Sequence, residues 1–192
     1  MNSYLESHLL GLILSIQSRK TESYLLIASG MEDLISQQGI LIQLGNKLEI
    51  FWNKVISDCT INLIENNNTI KVGRTNRQLD HLFMCLTVDE INYLESKCNL
   101  NFDTEKKPAS NDKISRVTDA IAEKYQKKVN VGYFVPCIAE IPNDVVKKYP
   151  DVKIYGVRWM IETLQCKYFT CDEFFQFFKD VIGPILNNKF SI

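Results

Sequence analysis

The sequence predicts a chain of the α/β (α+β) class, with a central mixed β-sheet, helices on both of its faces and an N-terminal helical segment. Three observations lead there. Helical spacing of apolar residues dominates the first 59 positions. Two successive strand-like stretches, 79–86 and 91–100, are joined by the short polar turn "TVDE", which is most simply an antiparallel hairpin. After them the order is helix, strand, strand and helix, and a strand–helix alternation of that kind builds a sheet covered on both sides.

Each element has its own signal. "YLESHLLGLILSIQS" (4–18) reads as an amphipathic helix. "TESYLLIASGMEDLISQQG" adds one or two more helices, ending near Gly39. In 40–59, Leu48, Phe51, Trp52, Val55 and Ile56 fall on one helical face, with Glu49 near its edge. "TINLIENNNTIKVG" (60–73) places the turn-rich "ENNN" between two β-prone pieces. Residues 79–86, "LDHLFMCL", are apolar apart from Asp80 and His81, as in a buried strand. "INYLESKCNL" (91–100) roughly alternates. The polar stretch "NFDTEKKPASNDK" leads, through a cap at Ser110 or Asn111, into a helix over about 112–127 with Ile114, Val117, Ile121 and Tyr125 at helical intervals. "VNVGYFVPCIAEI" (129–141) is a strand, and "VKIYGVRWMIETL" (152–164) a strand turning into a helix. The last helix opens with Thr170 and Glu173 at capping-box spacing. No internal repeat or long linker divides the chain, so one domain over 1–192 is expected, with residues 1–39 as a helical segment and 40–192 as the core.

Composition narrows the function. With 45% apolar and 23% charged residues and a formal net charge of −1, the chain has an ordinary globular composition. A near-neutral balance argues against indiscriminate polyanion binding but allows a local basic groove. The six cysteines, at 59, 85, 98, 137, 166 and 171, show no C-x-x-C spacing of the kind a structural zinc site favours. The apolar run "LLGLILSI" (9–16) has no basic n-region or cleavage site and is too short to span a bilayer. A reduced, cytoplasmic protein with no membrane segment is expected. Only two histidines, His8 and His81, are present, which leaves histidine-rich metal chemistry without ligands. There is no G-x-x-x-x-G-K-[ST] loop for nucleotide-driven work. The aromatic cluster Phe174, Phe175, Phe177 and Phe178 reads as core or dimer packing. "KYQKK" (124–128) and "VVKKY" (145–149) read as solvated faces.

The chemistry concentrates on the hairpin. Glu95 and Lys97 are two apart on one strand and so share a face, and Asp80 opens the preceding strand. Carboxylates on paired strands have Cβ atoms about 5 Å apart when directly opposed and about 7–8 Å apart on the diagonal. Either separation lets them converge on one divalent cation. An E-x-K pair on an exposed strand is ordinarily solvated charge. Here the pair follows apolar Leu94, Asp80 begins an apolar strand, and a polar segment with basic residues comes next. Two carboxylates and an ammonium in an apolar setting are costly without compensation, and magnesium, which takes a few carboxylates and keeps room for phosphate oxygens, supplies it.

Asp80, then fourteen residues, then Glu95-Ser96-Lys97 resembles the motif of the PD-(D/E)XK nucleases. The flanking "RQLDHLF" and "YLESKCNLNFDTEK" look most like type II restriction endonucleases. The resemblance is firm over about 77–106 and extends in element order from about 40 to 182. Leu79 stands where the motif has proline. The resemblance implies a restriction-endonuclease-like core in which Asp80, Glu95 and the Ser96 backbone carbonyl hold Mg2+, Lys97 orients or activates the attacking water, and Glu49 matches an auxiliary acid. It also implies hydrolysis of duplex DNA to 5′-phosphate and 3′-hydroxyl ends, by a homodimer on a palindromic site, with a cognate DNA methyltransferase in the same system.

For DNA contact the candidates are Arg74, Arg77 and Gln78 before the site, and Asn99, Asn101, Thr104, Lys106, Lys107, Ser110, Asn111 and Lys113 after it. Asn and Lys address base edges, while Lys, Ser and Thr also hold phosphates. The competing readings are another nuclease on the same core, for repair or junction resolution, a catalytically silent DNA-binding protein, and a structural protein with an exposed charged hairpin.

Overall fold

A computed structural model describes residues 2–17, 37–64, 69–85, 87–98 and 107–190, with 37 and 107–113 as backbone only. It divides into two compact units, Met1–Phe51 with Asp172–Ile192, and Trp52–Cys171.

The first unit is helical. The Asn2 side chain caps α1 (Ser3–Leu5) by accepting the Tyr4 and Leu5 N–H groups at 3.1 and 3.3 Å, which satisfies two of the donors a helix start leaves open. A π-helical turn (Glu6–Leu10) carries the chain into α2 (Gly11–Leu14). Leu5, Leu9, Ile13 and Ile16 are buried at three- and four-residue intervals, so the amphipathic stripe is real. The next described helix, α3 (Gln37–Cys59), passes straight through Gly39, where the sequence predicted an end. A glycine costs a helix only about 1 kcal/mol, and the buried Ile40, Leu48 and Phe51 on one face of α3 outweigh it. The C-terminal helices are α7 (Cys171–Phe177), a π-helical turn (Phe178–Ile182) and α8 (Gly183–Phe190). Phe174 and Phe177 are buried, and Phe174 stacks on Phe51 at 6.0 Å, so these rings serve as core.

The second unit carries the mixed sheet, in the order β3 (His81–Met84), β4 (Glu90–Ser96), β5 (Lys128–Phe134), β6 (Ile154–Tyr155). β3 and β4 form the antiparallel hairpin, with His81 opposite Leu94 and Met84 opposite Ile91. β4 and β5 are parallel from Glu90↔Lys128 to Ser96↔Phe134, and β6 continues parallel to β5. A parallel pair needs a crossover, supplied by α4 (Lys107–Tyr125). The short α5 (Asn143–Lys148) and α6 (Val157–Thr163) flank β6 in the chain. Val117 and Ile121 of α4 pack with Leu82, Ile91 and Tyr93 on one face of the sheet. On the other face Trp52, in the C-terminal part of α3, meets the Phe134 ring edge-on at 5.2 Å. Buried Asn92 and Asn130 pair across β4 and β5, with the Asn130 amide donating to Asn92 Oδ1 at 2.8 Å. A one-residue slip would break this buried pair.

Several elements differ from the sequence reading. The strands expected over 79–86, 91–100 and 129–141 are shorter, ending at Met84, Ser96 and Phe134. The segment before Asp80 folds as a separate antiparallel ribbon, β1 (Thr69–Val72) and β2 (Thr75–Gln78), turning at Gly73 with φ +59°. The predicted pivot, "ENNN", overlaps residues outside the described ones. α4 starts at Lys107 rather than about 112, so Ser110 and Asn111 lie inside the helix and are not its caps. Pro108 suits a first helical turn, where its missing N–H costs nothing. Among the described residues, no helix is long and apolar enough to cross a membrane.

Candidate active site

Asp80 occupies the bend between β2 and β3. Its position is set from three sides. Leu79, the preceding residue, is buried in the cluster with Leu82, Ile91 and Ile121. Asn53 of α3 donates its side-chain amide to the Asp80 carbonyl at 2.9 Å. The Asp80 carboxylate itself accepts the Ser96 N–H through Oδ2 at 2.7 Å, so the acid that opens one strand is fastened to the end of its neighbour.

Glu95 is buried on β4, only 8% exposed. The Tyr93 hydroxyl, two residues back on the same face, donates to Glu95 Oε1. Burial, and then the charge of Glu95 and, further down, of Asp80, push the Tyr93 phenol well above its ordinary range. It therefore stays protonated as a donor, and both carboxylates act on the one ring. Tyr133 stands beside Glu95 in the β5 register.

Ser96 ends β4. Its N–H points toward Asp80, whereas the next N–H, of Lys97, donates to the Phe134 carbonyl on β5 at 2.8 Å. In an extended strand the N–H and C=O of one residue leave from the same edge, so the Ser96 carbonyl faces the Asp80 side. Lys97 is exposed just past the strand end, where alternation continues the Tyr93–Glu95 face. The group as a whole sits at the carboxyl ends of the parallel strands β4 and β5, the end at which open α/β sheets bind ligands.

His81 turns to the face opposite Glu95, pairing with Leu94 across the hairpin. It is fully buried, with Nδ1 2.9 Å from Asn53 Oδ1 and its ring edge-on to Phe134 at 5.6 Å. Because Asn53 spends its amide on Asp80, its oxygen faces the ring, and His81 carries its proton on Nδ1. Burial lowers the His81 pKa to about 3. Between pH 6.5, the ordinary value in an unfolded chain, and about 3, the unfolded state binds a proton that the folded state refuses, so stability falls as pH falls. The expected slope is about 1.4 kcal/mol per pH unit below pH 6. Urea titrations at pH 7, 6 and 5 measure it, and a His81→Phe variant should lose that component; an equal slope in both proteins would remove His81 as its source.

The remaining predicted residues are spread out. Arg74, Arg77 and Gln78 are exposed on the β1–β2 ribbon. Lys107, Ser110, Asn111 and Lys113 lie on the first turns of α4. Asn99, Asn101, Thr104 and Lys106 fall outside the described residues. Glu49 is partly buried on α3 in the first unit. Sequence reading passed over Tyr93, Tyr133 and Asn53. The i−2 spacing from Glu95 was enough to find Tyr93; Tyr133 and Asn53 come from other elements and carry no local signal.

No family model matches the chain, and a search of the curated proteins finds no match either.

Proposed function

We propose that the chain is a site-specific, magnesium-dependent endonuclease for double-stranded DNA, of the type II restriction kind, built on a PD-(D/E)XK core. The observation that carries this reading is the hydrogen bond that fastens the Asp80 carboxylate to the end of the strand bearing Glu95. Asp80 is tied to the Ser96 N–H, with Glu95 one residue before that contact and Lys97 one residue after it.

The donors fit magnesium. That ion asks for one or two carboxylates, with waters and phosphate oxygens completing its shell. Asp80, Glu95 and the Ser96 carbonyl would hold it. Carboxylate and carbonyl oxygens are hard ligands, which suit magnesium better than a soft metal. When bound, the ion polarises the phosphodiester, lowers the pKa of a bound water and stabilises the leaving alkoxide. Tyr93 holds the Glu95 carboxylate in one orientation. Lys97, exposed at the rim, orients the attacking water. The products carry 5′-phosphate and 3′-hydroxyl ends. The proposal extends to a cytoplasmic homodimer acting on a palindromic site, protected by a cognate methyltransferase.

The direct experiment is digestion of a sequenced plasmid with magnesium, followed by sequencing of the ends. Discrete fragments with one shared terminal sequence support the reading. Intact plasmid across a range of magnesium concentrations rejects it.

Tyr93→Phe offers a finer check. Removing a hydrogen bond to a metal-ligating carboxylate typically costs 10–100-fold in metal affinity. The half-saturating magnesium concentration should rise by about that factor, with the saturated rate nearly kept. Manganese binding followed by its paramagnetic signal reads the same loss without turnover, and unchanged binding would reduce Tyr93 to a packing residue.

A further inference from the structure

The β1–β2 ribbon is exposed, basic and fastened to the core by one face only. Residues 69–78, "TIKVGRTNRQ", hold three cations and no acid, in a chain whose net charge is −1. The register pairs Thr69 with Gln78, Ile70 with Arg77, Lys71 with Asn76, and Val72 with Thr75. Opposed residues share a face and successive ones alternate. Ile70 is buried among Leu79, Leu82, Val117 and Ile121, and Val72 packs against the same cluster. The inner face is therefore the Ile70–Val72 side, and the outer face is Thr69, Lys71, Asn76 and Gln78, every one exposed. Arg74 stands at the turn, and Arg77 reaches solvent from the inner row. None of these six side chains has a hydrogen bond or ion pair within the described residues.

We propose that this ribbon reads the base sequence of a DNA duplex from the major groove, with the outer face turned to the base edges and Arg74 and Arg77 on the flanking phosphates. This rests on the nuclease reading and gives it a specificity element. A two-stranded ribbon fits the major groove, and Asn and Gln pair bidentately with adenine as Lys does with guanine. A bare edge also gains from lysine as protection against strand addition, but that role asks neither for one sign of charge nor for an outer row of amides. Gln78 is two residues from Asp80, about 7 Å along an extended chain, so bases read here lie beside the phosphodiester held at the carboxylates. Docking through Ile70 and Leu79 makes the ribbon a fixed template, because Leu79 is also the residue that anchors Asp80.

The test is selection from a library of duplexes with a randomised 20-base-pair core, bound in calcium instead of magnesium. The full chain should enrich one motif. Asn76→Ala with Gln78→Ala should lose at least tenfold of its preference for that motif over random duplex, while affinity for random duplex stays within about twofold. Arg74→Ala with Arg77→Ala should lose affinity equally on both, and its salt slope should fall by about 2. All six positions are exposed, so thermal midpoints should be unchanged. If the Asn76 and Gln78 variant keeps the full motif preference, the ribbon is not the reader and the nuclease reading stands. If the parent enriches no duplex motif yet cuts plasmid in magnesium, the reader role falls alone. If it neither enriches a motif nor cuts, both fall.

Discussion

Glu95→Gln and Asp80→Asn should each lower the rate of duplex cleavage in magnesium by about 10³-fold or more, with fold and thermal midpoint retained. Metal assistance contributes several kcal/mol of charge stabilisation, at 1.36 kcal/mol for each tenfold in rate. The amide variants suit this better than alanine. Asn at position 80 keeps an oxygen for the Ser96 N–H, and Gln at position 95 keeps one for the Tyr93 hydroxyl. Alanine at either place would orphan a donor at a cost of about 1–3 kcal/mol, mixing stability with chemistry. Duplex binding should hold or tighten, because a negative charge near the phosphates is gone. The measurement is single-turnover cleavage of a bound duplex beside a thermal melt. Either variant cutting at near the parental rate would end the assignment of these carboxylates.

Lys97→Ala should reduce cleavage by about 10² or more while leaving manganese and duplex binding near parental. That is the scale on which one positioned acid–base or electrostatic group contributes. Lys97 is exposed and its backbone N–H is engaged with Phe134, so removing the side chain disturbs no packing. Lys97→Arg should not restore the rate, since the broad guanidinium stays charged and fits a compact site poorly. The readout is single-turnover cleavage at saturating magnesium. A parental rate in Lys97→Ala would make this lysine surface charge and would remove the most specific residue from the nuclease reading.

Much of the second unit was legible because its signals are local. The apolar run 79–86 and the rough alternation over 91–100 predicted the hairpin, whose strands are the shorter His81–Met84 and Glu90–Ser96, and α4 and β5 lie within or beside the stretches read as helix and strand. Placement of Glu95 and Lys97 on one face needed only the two-residue period of a strand. Boundaries were less legible. α4 starts early because Pro108, read as a loop residue, is tolerated in a first helical turn, and α3 runs through Gly39 because buried apolar side chains on both sides of it sustain the helix. The ribbon was missed as a pair of strands. Thr75–Gln78 has little β-propensity of its own and is held as a strand by its partner Ile70–Lys71 and the left-handed Gly73 turn.

The sequence by itself determined which side chains share a face: Tyr93 and Glu95 on β4, with Lys97 next in the alternation just past the strand end. Those relations depend on bond geometry and the pleat, which act within a few residues. Only the tertiary structure decided that Asp80 meets Ser96, that Asn53 joins His81 to the Asp80 carbonyl, that Tyr133 stands beside Glu95, and that a basic ribbon docks through Ile70 onto the cluster that also holds Leu79. These contacts join residues far apart in the chain, such as positions 95 and 133, 38 residues apart. Strand spacing leaves their register free, and it is chosen by the burial of Leu79, Leu82 and Tyr93 against α4 together with the pairing of Asn92 and Asn130, because a slip of one residue would carry apolar side chains to the wrong face.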